Sequence, residues 1–168
     1  LKYIGENLWL LGDNDGLKSL EGLNNLNSVG ADLSVIGLDG IDDFHSLARL
    51  NYVGGGLAIK FSDGVRDLQG FNNLSFIGGD IEISYCDQLT SLDGLDILDH
   101  VGGALDLRRN DRLTSIKSLS GLDTLSYISI SNNPVLQSLE GLSGVTFVQG
   151  NLSISTNLQL QSLGSGIQ

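Results

Sequence analysis

Two rules of apolar spacing alternate along the chain. Short runs place apolar residues at period two, as Leu-x-Ile or a variant of it, and their first residues fall at Leu8, Leu33, Leu57, Ile81, Leu105, Ile128 and Leu152. The intervals between them are 25, 24, 24, 24, 23 and 24 residues, so a unit of about 24 residues builds about seven rungs. Between the runs the apolar interval is three, as in Leu89, Leu92, Leu95, Leu98 and Val101, or Val65, Leu68, Phe71, Leu74 and Ile77. On an α-helix each step of three lags by about 60°, which smears such a stripe around the cylinder. The pattern therefore predicts short extended pieces, tight turns and single 3₁₀ turns bending around a core, with no α-helix longer than two turns. The period-two runs read as strands, and stacking equivalent strands at about 4.8 Å per rung gives a parallel sheet whose apolar stripe is buried by its neighbours.

Further columns fix the register. Val53, Ile77 and Val101 open the segments VGGGLAI, IGGDIEI and VGGALDL, with weaker copies at Ile4, Val29 and Val148. The recurring glycine pairs (Gly54 and Gly55, Gly78 and Gly79, Gly102 and Gly103) point to backbone angles or close approaches that forbid a side chain. No helix start or basic residue follows them, so a phosphate-binding role does not fit. Five residues after the first strand position stand Asn110, Asn133 and Asn157, with Cys86 in the same slot and Ser62 and Leu38 in earlier rungs. A buried Asn there can bond free backbone groups of adjacent rungs, and a thiol fills the same space. The rung spanning Leu125 to Ile130 lacks the glycine pair. Its LTSIKSLSGL segment reads as longer than LTSLDGL, which predicts an outward loop near Lys117 offsetting a shortened corner.

The strand, the spacer and the Asn/Cys slot resemble a leucine-rich repeat. The run Ile-Gly-Gly-x-Leu-x-Ile joined to LTSLDGL from Leu89 or LQSLEGL from Leu136 is similar to the receptor L domain. That resemblance implies a right-handed, mainly-β solenoid, a single-stranded parallel β-helix of leucine-rich-repeat type. The fold is known from growth-factor and insulin receptor ectodomains, fungal cell-wall proteins and bacterial surface proteins. The resemblance also implies an extracellular or cell-surface location, to which two Asn-x-Ser sequons, Asn73 and Asn151, add support in a eukaryotic secretory pathway. Beginning at Leu1 without Met and ending on an unfinished apolar rhythm, residues 1–168 read as one solenoid domain cut from a longer protein without its end caps.

Charge narrows the partners. With 20 acidic and 9 basic residues the net charge is -11, a field that repels nucleic acid and anionic lipid. The local exception, Arg108, Arg109 and Arg112, is interleaved with Asp106 and Asp111. No apolar run is long enough to insert into a bilayer. The single cysteine cannot close an internal disulfide. His45 and His100 stand in different rungs without metal-ligand spacing, and Asp13, Asn14, Asp15 and Gly16 lack the bidentate Glu of a calcium loop. No cofactor or metal is expected.

Two surfaces are candidates for binding. The outward strand positions run Trp9, Ser34, Ala58, Glu82, Asp106, Ser129 and Ser153, flanked by Leu11, Ile36, Lys60, Ser84, Arg108, Ser131 and Ser155. Within this face Trp9, Leu11, Ile36, Lys60, Glu82, Asp106 and Arg108 form the candidate binding surface; Trp9, Leu11 and Ile36 fit a binding patch or the seat of a missing cap equally well. Glu82 and Asp106 should lie roughly 5 Å apart, near the carboxyl separation of a retaining glycosidase, but an open sheet face implies no cleft around them. The second surface is an aromatic column just before each glycine corner: Tyr3, Tyr52, Phe76, His100 and Phe147, with Ser28 in one rung and Tyr127 in a comparable place in the shortened one. It reads either as a shield over the corner or as a platform for sugar rings or a partner's apolar stripe. The reading is a non-catalytic recognition module for a protein or glycan. Its alternatives are a structural spacer of a surface or wall protein and, more remotely, a polysaccharide-acting enzyme.

Overall fold

A computed structural model describes residues 1–12, 14 and 16–163 as a parallel β-solenoid. The seven period-two runs form four-residue strands, Leu8–Leu11, Leu33–Ile36, Leu57–Lys60, Ile81–Ser84, Leu105–Arg108, Ile128–Ser131 and Leu152–Ser155. They stack in chain order into one parallel sheet, so each rung adds a strand beside the previous one. Period two turns the first and third residues of each strand inward, as in Ile81 and Ile83 or Leu105 and Leu107, all fully buried.

The interval of three has a direct cause. Leu89 donates its N–H to the carbonyl of Cys86, Leu95 to that of Leu92 and Leu98 to that of Leu95, so successive apolar residues close three-residue turns. Each such turn returns the next side chain to the same inner face. Among the described residues there is no α-helix, and three turns are regular enough to be 3₁₀ helices: His45–Leu47, Lys117–Leu119 and Glu140–Leu142. At the second residue of this turn the other rungs carry Gly22, Gly70 and Gly94, with φ of 104°, 117° and 115°. Ser46 and Ser118 cannot adopt that geometry cheaply, and their rungs are 3₁₀; the third 3₁₀ turn carries Gly141 at the same position, so a glycine there permits the positive-φ turn without dictating it. This corrects the expectation of an outward loop near Lys117. The segment from Leu113 to Leu125 keeps the interval of three, Ser115 bridges to Ser91 in the rung before, and the Ser118 hydroxyl bonds Asp93 at 3.2 Å.

A second set of strands was not read from the sequence. The residues entering each corner pair as two-residue strands, Tyr3–Ile4, Ser28–Val29, Tyr52–Val53, Phe76–Ile77 and His100–Val101, in one parallel sheet. Thr124–Leu125 and Phe147–Val148 form a separate pair. The glycine corners follow these strands. A Cβ on Gly54 would collide with the carbonyl oxygen of Gly30, one on Gly78 with that of Gly54, and one on Gly102 with that of Gly78. Close approach between rungs, and not an unusual φ, is what excludes a side chain there.

The Asn slot is a continuous polar ladder through the core. Leu38 N–H donates to Ser62 Oγ at 3.4 Å and Ser62 N–H to the Cys86 sulfur. Cys86 N–H donates to Asn110 Oδ1 at 3.2 Å, Asn110 N–H to Asn133 Oδ1 at 3.1 Å and Asn133 N–H to Asn157 Oδ1 at 2.9 Å. In every pair the side chain belongs to the later rung. The amide groups also close the strand ends, Asn110 Nδ2 on Ile83 O at 3.0 Å and Asn133 Nδ2 on Leu107 O at 3.0 Å.

Candidate functional site

The long sheet aligns the outward strand face as one row, Trp9, Ser34, Ala58, Glu82, Asp106, Ser129 and Ser153, each directly opposite the next. Leu11, Ile36, Lys60, Ser84, Arg108, Ser131 and Ser155 align beside it, although Ser84 is buried and leaves the outward row. Trp9 and Leu11 are exposed at one end of the sheet, and Ile36 is half-buried next to them. In the middle, parallel register brings Glu82 and Asp106 together, and two cations answer them. Lys60 Nζ pairs with Glu82, and Arg108 reaches Asp106 Oδ2 at 2.6 Å and Glu82 Oε1 at 3.5 Å. The four charges cancel on an open face. Beside them a shallow cleft of about 330 Å³ opens where Gly56 and Ala58 supply no bulk between Asp32, Asp80 and Glu82. Asp32 and Asp80 are structural in part: each accepts a backbone N–H of the following rung, from Gly56 and Ala104 respectively, at 2.7 Å.

The aromatic edge lies on the short sheet, in the register Tyr3, Ser28, Tyr52, Phe76, His100. Period two explains its exposure, because the inward neighbours Val29, Val53, Ile77 and Val101 are buried and the preceding residues must face out. Tyr52 and Phe76 stack with centroids 4.8 Å apart and planes 8° from parallel, and Phe76 and His100 at 4.5 Å and 11°. Tyr3 is 65% exposed, Phe147 58% and Tyr52 41%, so the rings are not swallowed by the corner. Their shared faces cover one another and their edges meet solvent. Tyr127 does not belong to this column. Thr124 stands opposite Phe147, while Tyr127 immediately precedes the strand Ile128–Ser131.

A second ladder escaped the sequence reading. From the second long strand onward, the residue directly after the strand adopts a left-handed backbone: Gly37 (φ 70°), Phe61 (50°), Tyr85 (56°), Arg109 (53°), Asn132 (57°) and Thr156 (56°). Phe61 and Tyr85 stack at 4.6 Å, and the Arg109 guanidinium lies 5.4 Å from the Tyr85 ring centre. The shared 24-residue spacing was the available signal, but the mixture of residue types hid it. A cleft of about 290 Å³ runs along this edge between Tyr85, Arg109, Pro134 and Leu158. The remaining arginine of the basic cluster, Arg112, bonds Gln88 at 2.8 Å.

The titratable groups follow their surroundings. The Cys86 thiol is pushed up to about 11, first by burial and then by Asp63, Asp87 and Asp39 nearby, against the lowering bond from Ser62 N–H. Burial and the charges of Asp63 and Asp111 raise the Asp87 carboxyl above its ordinary value. The Asp43 carboxyl is lowered, chiefly by the N–H of His45 at 2.8 Å, and His45 Nδ1 sits 2.9 Å from the same oxygen. Among the described residues no group of three or more His, Cys, Asp or Glu is placed to hold a metal ion. Asp13 and Asp15, the acids of the calcium-loop-like stretch, lie outside the described residues. Among the described residues no helix is long and apolar enough to cross a membrane. No family model, no curated protein and no solved structure matches this chain.

Proposed function

We propose that the chain is a non-catalytic recognition module of an extracellular or cell-surface protein, a leucine-rich-repeat-type solenoid akin to the receptor L domain, binding a protein or glycan through an exposed edge. The observation that carries this reading is the stacked row Tyr52, Phe76 and His100, left at the surface with Tyr3 and Phe147 in the same column. Exposed rings in a row form a contact surface whose aromatic groups bind well at small entropic cost. The charge of -11 turns the module away from nucleic acid. A non-catalytic role is supported by the two opposed carboxylates, which lie on an open sheet face and are each paired with a cation.

The test is the double substitution Tyr52→Ala with Phe76→Ala, compared with the parent on arrays of glycans and of extracellular proteins. The expected result is loss of an array signal with little change in melting temperature. Unchanged binding together with a lowered melting temperature makes the ladder a shield over the corner. Cleavage of a polysaccharide that Glu82→Gln abolishes in folded protein would refute the non-catalytic reading.

A further inference from the structure

We infer that the interruption of the aromatic edge at Thr124 is a subsite for one neutral pyranose ring of a glycan. The inference rests on the recognition reading above and deepens it by naming the ligand class and the place where it sits.

The subsite originates in a missing residue. Leu125 is followed by Ile128 after three positions, where Val101 is followed by Leu105 after four. The long sheet nevertheless keeps its register, Ile128 opposite Leu105 and Ser131 opposite Arg108. The shortfall is taken up entirely at the corner. In the four earlier corners the first residue of the turn donates to the short strand of the previous rung: Gly30 to Ile4, Gly54 to Val29, Gly78 to Val53 and Gly102 to Ile77. Ser126 instead donates to Gly103 at 3.0 Å, one step further along, which takes the Val101 carbonyl out of that series. The short sheet divides there. His100–Val101 ends one part, and Thr124–Leu125 pairs only with Phe147–Val148.

A cleft of about 310 Å³ lies at this division, bordered by His100, Asp123, Thr124, Ser126, Phe147 and Gln149. That volume sits at the lower end of small-ligand sites, roughly 300 to 1,000 Å³. Thr124 follows His100 by one 24-residue step and faces Phe147, so a small hydroxylated residue stands between two rings of the column, as Ser28 does between Tyr3 and Tyr52 where the sheet is continuous. One face of His100 is covered by Phe76 at 4.5 Å, and the other is turned towards the Thr124 level. The His100 and Phe147 levels are about 9.6 Å apart, twice the strand spacing, which is the room a single ring needs between two others.

The rim decides which ring. A pyranose has C–H faces that suit aromatic walls and a periphery of hydroxyls. Thr124, Ser126, Gln149 and the Asp123 carboxylate offer that periphery donors and acceptors around the cleft. A phenyl or indole ring of a protein partner would strip water from those groups and return few hydrogen bonds. Asp123 and the overall charge of -11 select neutral sugars over uronic or sialic acids.

The test is amide chemical-shift titration of the isotope-labelled domain with cellohexaose, chitohexaose and laminarihexaose at millimolar concentration, with trigalacturonate beside them. The expected result is that at least one neutral probe perturbs the amides of Thr124, Ser126 and Gln149, and that trigalacturonate does not. Thr124→Phe, which completes the ring column, and Phe147→Ala, which removes one wall, should each weaken the neutral probe by about tenfold or more. Ser28→Phe, a ring added in the same column where the sheet is continuous, should leave the affinity unchanged. Phe147 is exposed, so its truncation reports on binding even if Thr124→Phe disturbs folding. Equal shifts from trigalacturonate, affinity that survives both Thr124→Phe and Phe147→Ala, or silence of the cleft amides with all three neutral probes overturns the subsite. A ligand lost on Tyr52→Ala with Phe76→Ala but retained by Thr124→Phe overturns the subsite while leaving the recognition reading in place. That reading falls separately, if no array ligand depends on the ladder.

Discussion

Replacing Asn110 with Ala removes one step of the buried polar ladder, and the structure sets the size of the loss. One backbone group is left without its partner in a site of 0% exposure: the Cys86 N–H, now 3.2 Å from Oδ1. The Ile83 carbonyl, 3.0 Å from Nδ2, loses that bond and keeps its place in the parallel ladder with the strand Leu105–Arg108. An orphaned buried polar group costs about 1 to 3 kcal/mol. At about 2 to 4 °C per kcal/mol for a chain of this size, a loss near 2 kcal/mol lowers the melting temperature by about 4 to 8 °C. Asn110→Leu fills the space while orphaning the same N–H, and it separates hydrogen bonding from cavity formation. Asn110→Cys should retain part of the loss, because Cys86 already serves the slot through 3.6 Å contacts to Ile59 O and Ser84 O. The assay is urea denaturation followed by far-ultraviolet circular dichroism, with hydrogen exchange at the Cys86 amide as a local readout. Repeat arrays can unfold in parts, and the local readout holds even where the global transition broadens. If Asn110→Leu is as stable as the parent and Cys86 N–H stays protected, the ladder does not hold the rungs and the reasoning fails.

Other predictions follow from neighbouring features. Gly78→Ala drives a Cβ into the Gly54 carbonyl and should cost about 3 kcal/mol, the upper part of the overpacking range, whereas Gly5→Ala, with nothing within 4 Å, should be close to neutral by thermal denaturation. Thr156, a β-branched residue at φ 56°, sits in the column that Asn132 fills comfortably, so Thr156→Asn should gain about 0.5 to 1 kcal/mol. Asp87 has a raised carboxyl, so the folded chain holds that proton more tightly than the unfolded chain. Its ionisation therefore subtracts stability as pH rises through the ordinary carboxylate range and beyond. Asp87→Asn should stabilise the protein at neutral pH, with the gain vanishing below that range in melting curves taken across pH. The Cys86 thiol, buried and raised to about 11, should react with a maleimide no faster than the protein opens; a rapid reaction in native conditions contradicts its burial.

Much of the scaffold was legible because a solenoid writes the same constraint once per rung. The strand positions, their register and the inward columns all follow from the spacing of Leu33, Leu57, Ile81 and Leu105, and the structure aligns them as one sheet. The polar ladder is visible in Asn110, Asn133 and Asn157, and the change of residue type at Ser62 hides its continuation there, where the hydroxyl accepts from Leu38 N–H as the amides of later rungs do from theirs. Chemistry carried the function there, and residue identity misled. The turn choice is illegible for a different reason: segments of equal length close as a glycine turn or as a 3₁₀ turn, and while Ser46 and Ser118 disfavour the first, a glycine permits either, as Gly141 in the 3₁₀ turn Glu140–Leu142 shows. The Phe61 and Tyr85 stack was hidden because its column is defined by a backbone angle shared by Phe, Tyr, Arg, Asn and Thr. The cleft at Thr124 needed both the one-residue shortfall and the division of a sheet that the sequence reading had not included.

The polar ladder also has a direction in time. Each backbone N–H from Leu38 to Asn133 is satisfied by a side chain of the rung made after it, never by one made before. On a ribosome, which releases the chain from its N-terminal end, the newest rung is always waiting for an acceptor that has not yet been synthesised. Growth therefore advances with one unfinished surface at its leading end, and every added rung seals the previous one while opening its own. A pause in translation after a complete rung leaves one buried N–H unsatisfied, and a pause within the next strand leaves a raw sheet edge beside it. The spacing of slow codons relative to the 24-residue period thus becomes a physical variable in how much of this protein reaches its folded state.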